Sequence, residues 1–64
     1  MKAELVDVTM TLHREIAKAL LVSDDGEFEN AFWLPKSLCE TEQIREGIVV
    51  VTLPEWKARE KGLI

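Results

Sequence analysis

The segment Ile48-Val49-Val50-Val51-Thr52-Leu53-Pro54-Glu55-Trp56-Lys57-Ala58-Arg59-Glu60-Lys61-Gly62-Leu63-Ile64 contains a change of period that decides the fold. Ile48 to Leu53 is a nearly unbroken β-branched run, the pattern of a strand covered on both faces. Thr52-Leu53-Pro54-Glu55 then matches a capping box, with Thr52 as the cap and Glu55 reaching back. Pro54 suits the first helical turn, where the amide it lacks has no intrahelical acceptor. A short helix is therefore predicted. Lys57, Arg59 and Lys61 crowd its later turns, where cations meet the negative end of the helix dipole, and Gly62 is placed for a left-handed cap with Leu63 packing back. Trp56 and Leu63 share one stripe with Ala58 nearby, too narrow to hold a helix alone, so the helix must dock on a sheet.

The rest of the chain supplies that sheet. Between Lys2 and Leu12 the residues Val6, Val8, Met10 and Leu12 alternate with Asp7, Thr9 and Thr11, the period of a half-buried strand. Ile16 to Val22 has both strand and helix formers, but Asp24-Asp25-Gly26 lies directly between Ala17 to Ser23 and Glu27 to Leu34, so these two read as an antiparallel hairpin. Within that third strand Phe28, Asn30, Phe32 and Leu34 point one way, and Glu29, Ala31 and Trp33 the other. Pro35 removes a ladder donor and marks an edge or a strand end. From Lys36 to Gly47 the pattern is weak: Ser37 with Glu40 allows one capped helical turn or an irregular edge segment, and Glu46-Gly47 reads as a turn. The expected architecture is a β-rich α+β fold in a single domain over residues 1–64, a four-stranded antiparallel sheet followed by one short C-terminal helix.

Length and composition bound what such a domain does. Sixty-four residues leave room for a single core, and a chain of this size buries only about 60% of the surface it exposes when unfolded. With one cysteine, Cys39, and one histidine, His13, neither an intrachain disulfide nor a four-ligand zinc site is available within these residues. Strands three and four, with Leu5, Leu20 and Leu21, put apolar groups on both faces of the sheet while the helix covers one, so the chain is expected to associate with further copies of itself as a dimer or higher oligomer. Twelve acidic against eight basic side chains, a net charge of −4, argue against a protein that coats nucleic acid over its whole surface. The apolar runs are far shorter than the roughly 20 residues that span a bilayer, so no membrane partner is expected and the cytoplasm is the expected location.

No catalytic motif stands out. Cys39 with His13 matches no nucleophilic signature beyond its residue types, and Ser37 next to Lys36 lacks a Ser-Lys spacing. Asp24, Asp25, Glu27 and Glu29 lack the alternation of a calcium loop and read as a solvated hairpin tip, so no metal or cofactor is expected. Two aromatic and basic groupings remain, Trp33 with Lys36 and Ser37, and Trp56 with Lys57, Arg59 and Lys61. Single-strand nucleic-acid binders combine ring stacking with phosphate neutralisation in this way. The competing reading places both tryptophans in the core, where a chain this small gains most from them.

Trp33-Leu34-Pro35-Lys36-Ser37 and the terminal Pro54-Glu55-Trp56 helix ending Lys61-Gly62-Leu63 resemble a group of small phage and prophage proteins with Trp-Leu-Pro-Lys-Ser and Pro-Glu-Trp…Lys-Gly-Leu motifs. Lys18-Ala19-Leu20-Leu21-Val22 before an acidic turn also fits, and Ser37-Leu38-Cys39 stands where the group has Ser-Gln-Ile. The resemblance implies an accessory protein of a mobile element in the bacterial host cytoplasm, acting by binding a host or phage protein, for instance to inhibit a defence system such as a CRISPR effector. Similarity to the four-strand-and-helix fold of single-stranded-DNA-binding coactivators, which dimerise, implies the alternative, a nucleic-acid-binding protein; metal-assisted strand nicking would make that alternative an enzyme. The first expectation is a non-enzymatic oligomeric interaction module acting through an apolar surface or through an acidic one able to mimic nucleic acid; the second uses Trp33, Lys36 and the basic helix end.

Overall fold

The computed structural model describes residues 4–64. Five strands and one helix follow in order: β1 (Leu5–Glu15), β2 (Ala19–Ser23), β3 (Phe32–Pro35), β4 (Glu40–Arg45), β5 (Ile48–Pro54) and α1 (Glu55–Glu60). All pairings are antiparallel, in the sheet order β3-β2-β1-β5-β4. The β-rich α+β reading and the C-terminal helix stand, but the sheet has five strands instead of four. The additional strand is β4, where Glu40-Thr41-Glu42-Gln43-Ile44-Arg45 is exposed throughout. Nothing in β4 is buried, so it lacks the apolar alternation by which a strand is recognised, and its pairing rests on the backbone ladder to β5.

Boundaries also move, beginning with β2, which starts at Ala19 instead of Ala17. Of the strand expected from residue 2, residues 2 and 3 lie outside the described residues. β1 runs on to Glu15, through a register shift between Leu12 and Arg14 that leaves His13 as an extra residue in the ladder. The strand expected from residue 27 starts only at Phe32, because Phe28–Asn30 forms a 3-10 turn. Asp25 is the local cause: one carboxylate oxygen accepts the Glu27 N–H at 2.9 Å and the other the Asn30 side-chain amide at 2.6 Å, folding the segment back before it can extend. Lys36–Leu38 forms a second 3-10 turn with Pro35 at its cap and no side-chain cap bond, so Ser37 lies inside the turn instead of capping one, and Glu40 already belongs to β4.

The 36–39 connection forces the sheet to curl. β3 and β4 are opposite edges, about 19 Å apart across four strand spacings if the sheet were flat. Pro35 pairs beside the Glu15 end of β1, whereas Glu40 lies level with Asp7, a further offset of about 25 Å along the strand direction. The chain from Pro35 to Glu40 reaches at most about 18 Å. Only a sheet that coils on itself, its strands bending as well as curling, brings the Pro35 end of β3 within reach of the Glu40 end of β4, and the two strands do not pair.

This roll explains the core. Met10, Leu20, Val22, Leu34, Val49, Val51 and Leu53 occupy the inner face and are essentially inaccessible, and α1 adds only Ala58, with Leu63 half-buried beside it. A single short helix suffices because the sheet covers most of its own inner face. The helix end forms as expected: Gly62 takes φ +74°, its N–H bonds the Arg59 carbonyl at 3.1 Å, and the Leu63 N–H bonds the Ala58 carbonyl at 2.8 Å. The helix start differs. Pro54 occupies the cap position without a side-chain bond, and the Glu55 N–H donates instead to the Glu4 carbonyl at 2.7 Å. Thr52 is unavailable as a cap, since it belongs to β5 and its hydroxyl donates to Asp7 Oδ1 at 2.6 Å.

Candidate functional site

The outer face follows from register. β1, β5 and β4 present the rows Asp7-Thr52-Glu40 and Thr9-Val50-Glu42, and β1, β2 and β3 present Arg14-Leu21-Trp33. Leu20, expected to point outward, lies on the inner face, paired across β2 and β3 with Leu34. The tryptophans correct the core reading. Trp33 is 44% exposed on the outer face of β3, next in sequence to the fully buried Leu34, and Trp56 is 54% exposed on the solvent side of α1, opposite Ala58. Alternation decides the first and helical spacing the second: inner positions of β3 are taken by Phe32 and Leu34, and the helix turns only one residue as small as alanine inward.

The basic residues named with the tryptophans are mostly engaged. Lys36 Nζ donates to Glu15 at 2.7 Å, Lys57 Nζ to Glu60 at 2.9 Å, and Arg59 lies 3.4 Å from Glu55. The Lys57 ammonium holds the Glu60 carboxyl below its ordinary range. Lys57 also stands 5.8 Å from the Trp56 ring centre, and Lys61 stands 5.2 Å from that of Phe32. The second of these contacts ties the helix end to β3, so Lys61 serves packing as well as charge.

Lys36 and Ser37 meet in an open cleft of about 430 Å3 beside the 36–39 connection, with Leu5, Leu38, Cys39 and Pro54 among its walls. Trp33 and the three helix cations are not among its lining residues, so the six nominated residues divide between separate surfaces. Burial pushes the Cys39 thiol above its ordinary value, away from the thiolate a nucleophile needs, and its Sγ contacts the Pro35 carbonyl at 3.5 Å. His13 does not reach it. His13 Nε2 instead lies 2.7 Å from Ser23 Oγ, with the Phe28 ring edge-on at 5.5 Å. This serine–histidine pair was not legible in the sequence, since it depends on the extra residue at His13 in β1. Ser23 is wholly buried, so its hydroxyl is a structural partner closed to substrate.

Among the described residues no group of three or more His, Cys, Asp or Glu side chains is arranged to hold a metal ion, and no helix is long and apolar enough to cross a membrane. Set against protein-family models, curated proteins and solved structures, the chain matches none.

Proposed function

We propose that the protein is a non-enzymatic interaction module that self-associates and acts by binding another protein, as an accessory factor of a phage or mobile element in its bacterial host. The observation that carries this reading is the exposure of both tryptophans, in a chain that has only four aromatic Phe and Trp side chains in all. Large rings left at the surface are the usual anchors of protein interfaces, where they bury much area at low entropic cost. Leu5, Ile16, Phe28, Ile44 and Ile64 are each more than half exposed as well. Sedimentation velocity at micromolar concentration tests the reading: an oligomer that Trp33→Ala or Trp56→Ala weakens is expected, and a monomer overturns self-association.

The proximity of Lys57 to Trp56 favours a second reading, single-stranded nucleic-acid binding. It faces an electrostatic cost, because Lys36, Lys57 and Arg59 each already have a carboxylate partner and phosphate must compete for them. Labelled single-stranded DNA at about 50 mM salt separates the two readings. No binding, or binding unchanged by combined Lys36→Ala and Arg59→Ala substitutions, removes the second.

A further inference from the structure

We propose that the free edge of β4 is a docking site for an extended segment of another protein carrying Lys or Arg at every second position, added to the sheet as a sixth antiparallel strand. The inference rests on the interaction-module reading and specifies the chemistry of the partner.

The two edges of the sheet are not equivalent. β3 has four residues and ends in Pro35, which has no N–H to offer. β4 has six, contains no proline, and pairs with β5 alone. In an antiparallel strand alternate residues turn their N–H and C=O groups away from the existing neighbour, so the outer side of β4 presents unpaired donors and acceptors. All six side chains are exposed, so the strand contributes no buried side chain to the core.

Charge selects the occupant. Glu40 and Glu42 project from the outer face, paired across the ladder with Thr52 and Val50, and neither has an ion-pair partner among the described residues. A second copy of β4 is rejected by symmetry. A two-fold axis normal to a continuous sheet keeps each residue on its own face. A register centred on Thr41 therefore sets Glu40 opposite Glu42, one centred on Glu42 sets Glu42 opposite itself, and one centred on Gln43 runs into the register shift before Arg45. An added strand with cations two residues apart instead places one opposite each glutamate, while its intervening side chains lie beside Thr41 and Gln43. Self-association, where it occurs, uses another surface.

The test uses the full chain and a fluorescein-labelled octapeptide alternating Lys and Val, with an alternating Glu and Val peptide as comparator, read by fluorescence polarisation. Two further Lys-Val peptides carry N-methyl groups on every second amide, one in each phase. The Lys-Val peptide is expected to bind; methylation in one phase abolishes binding and in the other leaves it intact, because one peptide edge faces β4 and the other faces solvent. Combined Glu40→Lys and Glu42→Lys substitutions weaken the Lys-Val peptide at least tenfold and transfer preference to the Glu-Val peptide. Circular dichroism verifies that the variant is folded. No binding, equal binding by both methylated peptides, or unchanged preference in the charge-reversed variant overturns the proposal. Sedimentation of the same samples reports self-association independently, so a monomer that still binds the peptide refutes the oligomer alone.

Discussion

Replacing Gly62 by L-alanine and by D-alanine adds the same methyl group with opposite consequences for stability. Gly62 holds φ +74° at the end of α1, and an L-configured Cβ built there meets nothing within 4 Å, so space is not limiting for L-alanine. For an L residue the left-handed conformation costs about 1–2 kcal/mol. Losing the freedom that glycine has in the unfolded chain returns about 0.4–1 kcal/mol. L-Alanine is therefore expected to destabilise the fold by about 1 kcal/mol, from the difference of these two terms. D-Alanine prefers positive φ, escapes the first term, keeps the second, and stabilises by about 0.4–1 kcal/mol. In a domain of this size 1 kcal/mol moves the melting temperature by about 4–8 °C, so the two proteins should melt on opposite sides of the parent. The chain is short enough for chemical synthesis, and thermal unfolding followed by circular dichroism should be run at several concentrations, because association raises Tm. Equal destabilisation by both enantiomers, or two neutral substitutions, would refute the reasoning from positive φ.

Leu34→Ala should cost about 2–5 kcal/mol, because the side chain is wholly buried on the inner face. Total stability for 64 residues is roughly 3–10 kcal/mol, so urea denaturation should show the midpoint falling steeply or the transition lost. Thr52→Val removes the bond to Asp7 on the exposed face and should change stability by less than about 1 kcal/mol. The Cα chemical shifts of Glu55–Glu60 should stay helical in that variant, since the hydroxyl does not cap α1. Asp25 is held below its ordinary value, first by the Glu27 N–H and then by the Asn30 amide, so the order it gives the 3-10 turn is present above the unfolded-state value and lost as pH falls through the lower folded one. The Glu27 amide resonance should report that transition below pH 3.8, and Asp25→Asn should abolish it. The Cys39 thiol, raised by burial, should react with iodoacetamide at pH 8 more slowly than a free cysteine peptide, and equal rates would contradict its placement in the cleft wall.

What the sequence makes legible is what burial writes into it. β5 is visible because Val49, Val51 and Leu53 are all interior, and β1 because Met10 and its neighbours alternate. β4 is hidden for the same reason in reverse, having no buried position to impose a period. The Gly62 ending could be read because one conformation there favours one residue type. The capping box at Thr52 misled because its chemistry is local while the competing demand is not: Asp7, 45 positions away in sequence, takes the hydroxyl, and the Glu4 carbonyl serves the first amide. The 3-10 turn at Phe28–Asn30 was likewise concealed by a strand-like alternation that two hydrogen bonds to Asp25 override.

The candidate surfaces illustrate the same division more sharply. Residue type identified which side chains could matter, but pairing decides what each has left to offer. Lys36 finds Glu15 only because the chain doubles back at Lys18, whose carbonyl accepts the Lys36 N–H at 2.8 Å. Lys57 and Arg59 find Glu60 and Glu55 by helical spacing, which the sequence did display. Three cations that suggest a basic site in the sequence are thus largely compensated, whereas Glu40, read in the sequence only as a candidate capping partner of Ser37, and Glu42 have no ion-pair partner among the described residues. The two glutamates of β4 thus lie along a strand whose outer edge has backbone groups that no neighbouring strand fills. Raising the salt concentration should therefore weaken a basic peptide on β4 while leaving the apolar contribution of exposed Trp33 and Trp56 to self-association little changed, because screening acts on exposed charges and not on buried apolar area. Peptide polarisation and sedimentation measured across the same salt series should diverge, and a common salt dependence would mean that one surface serves both interactions.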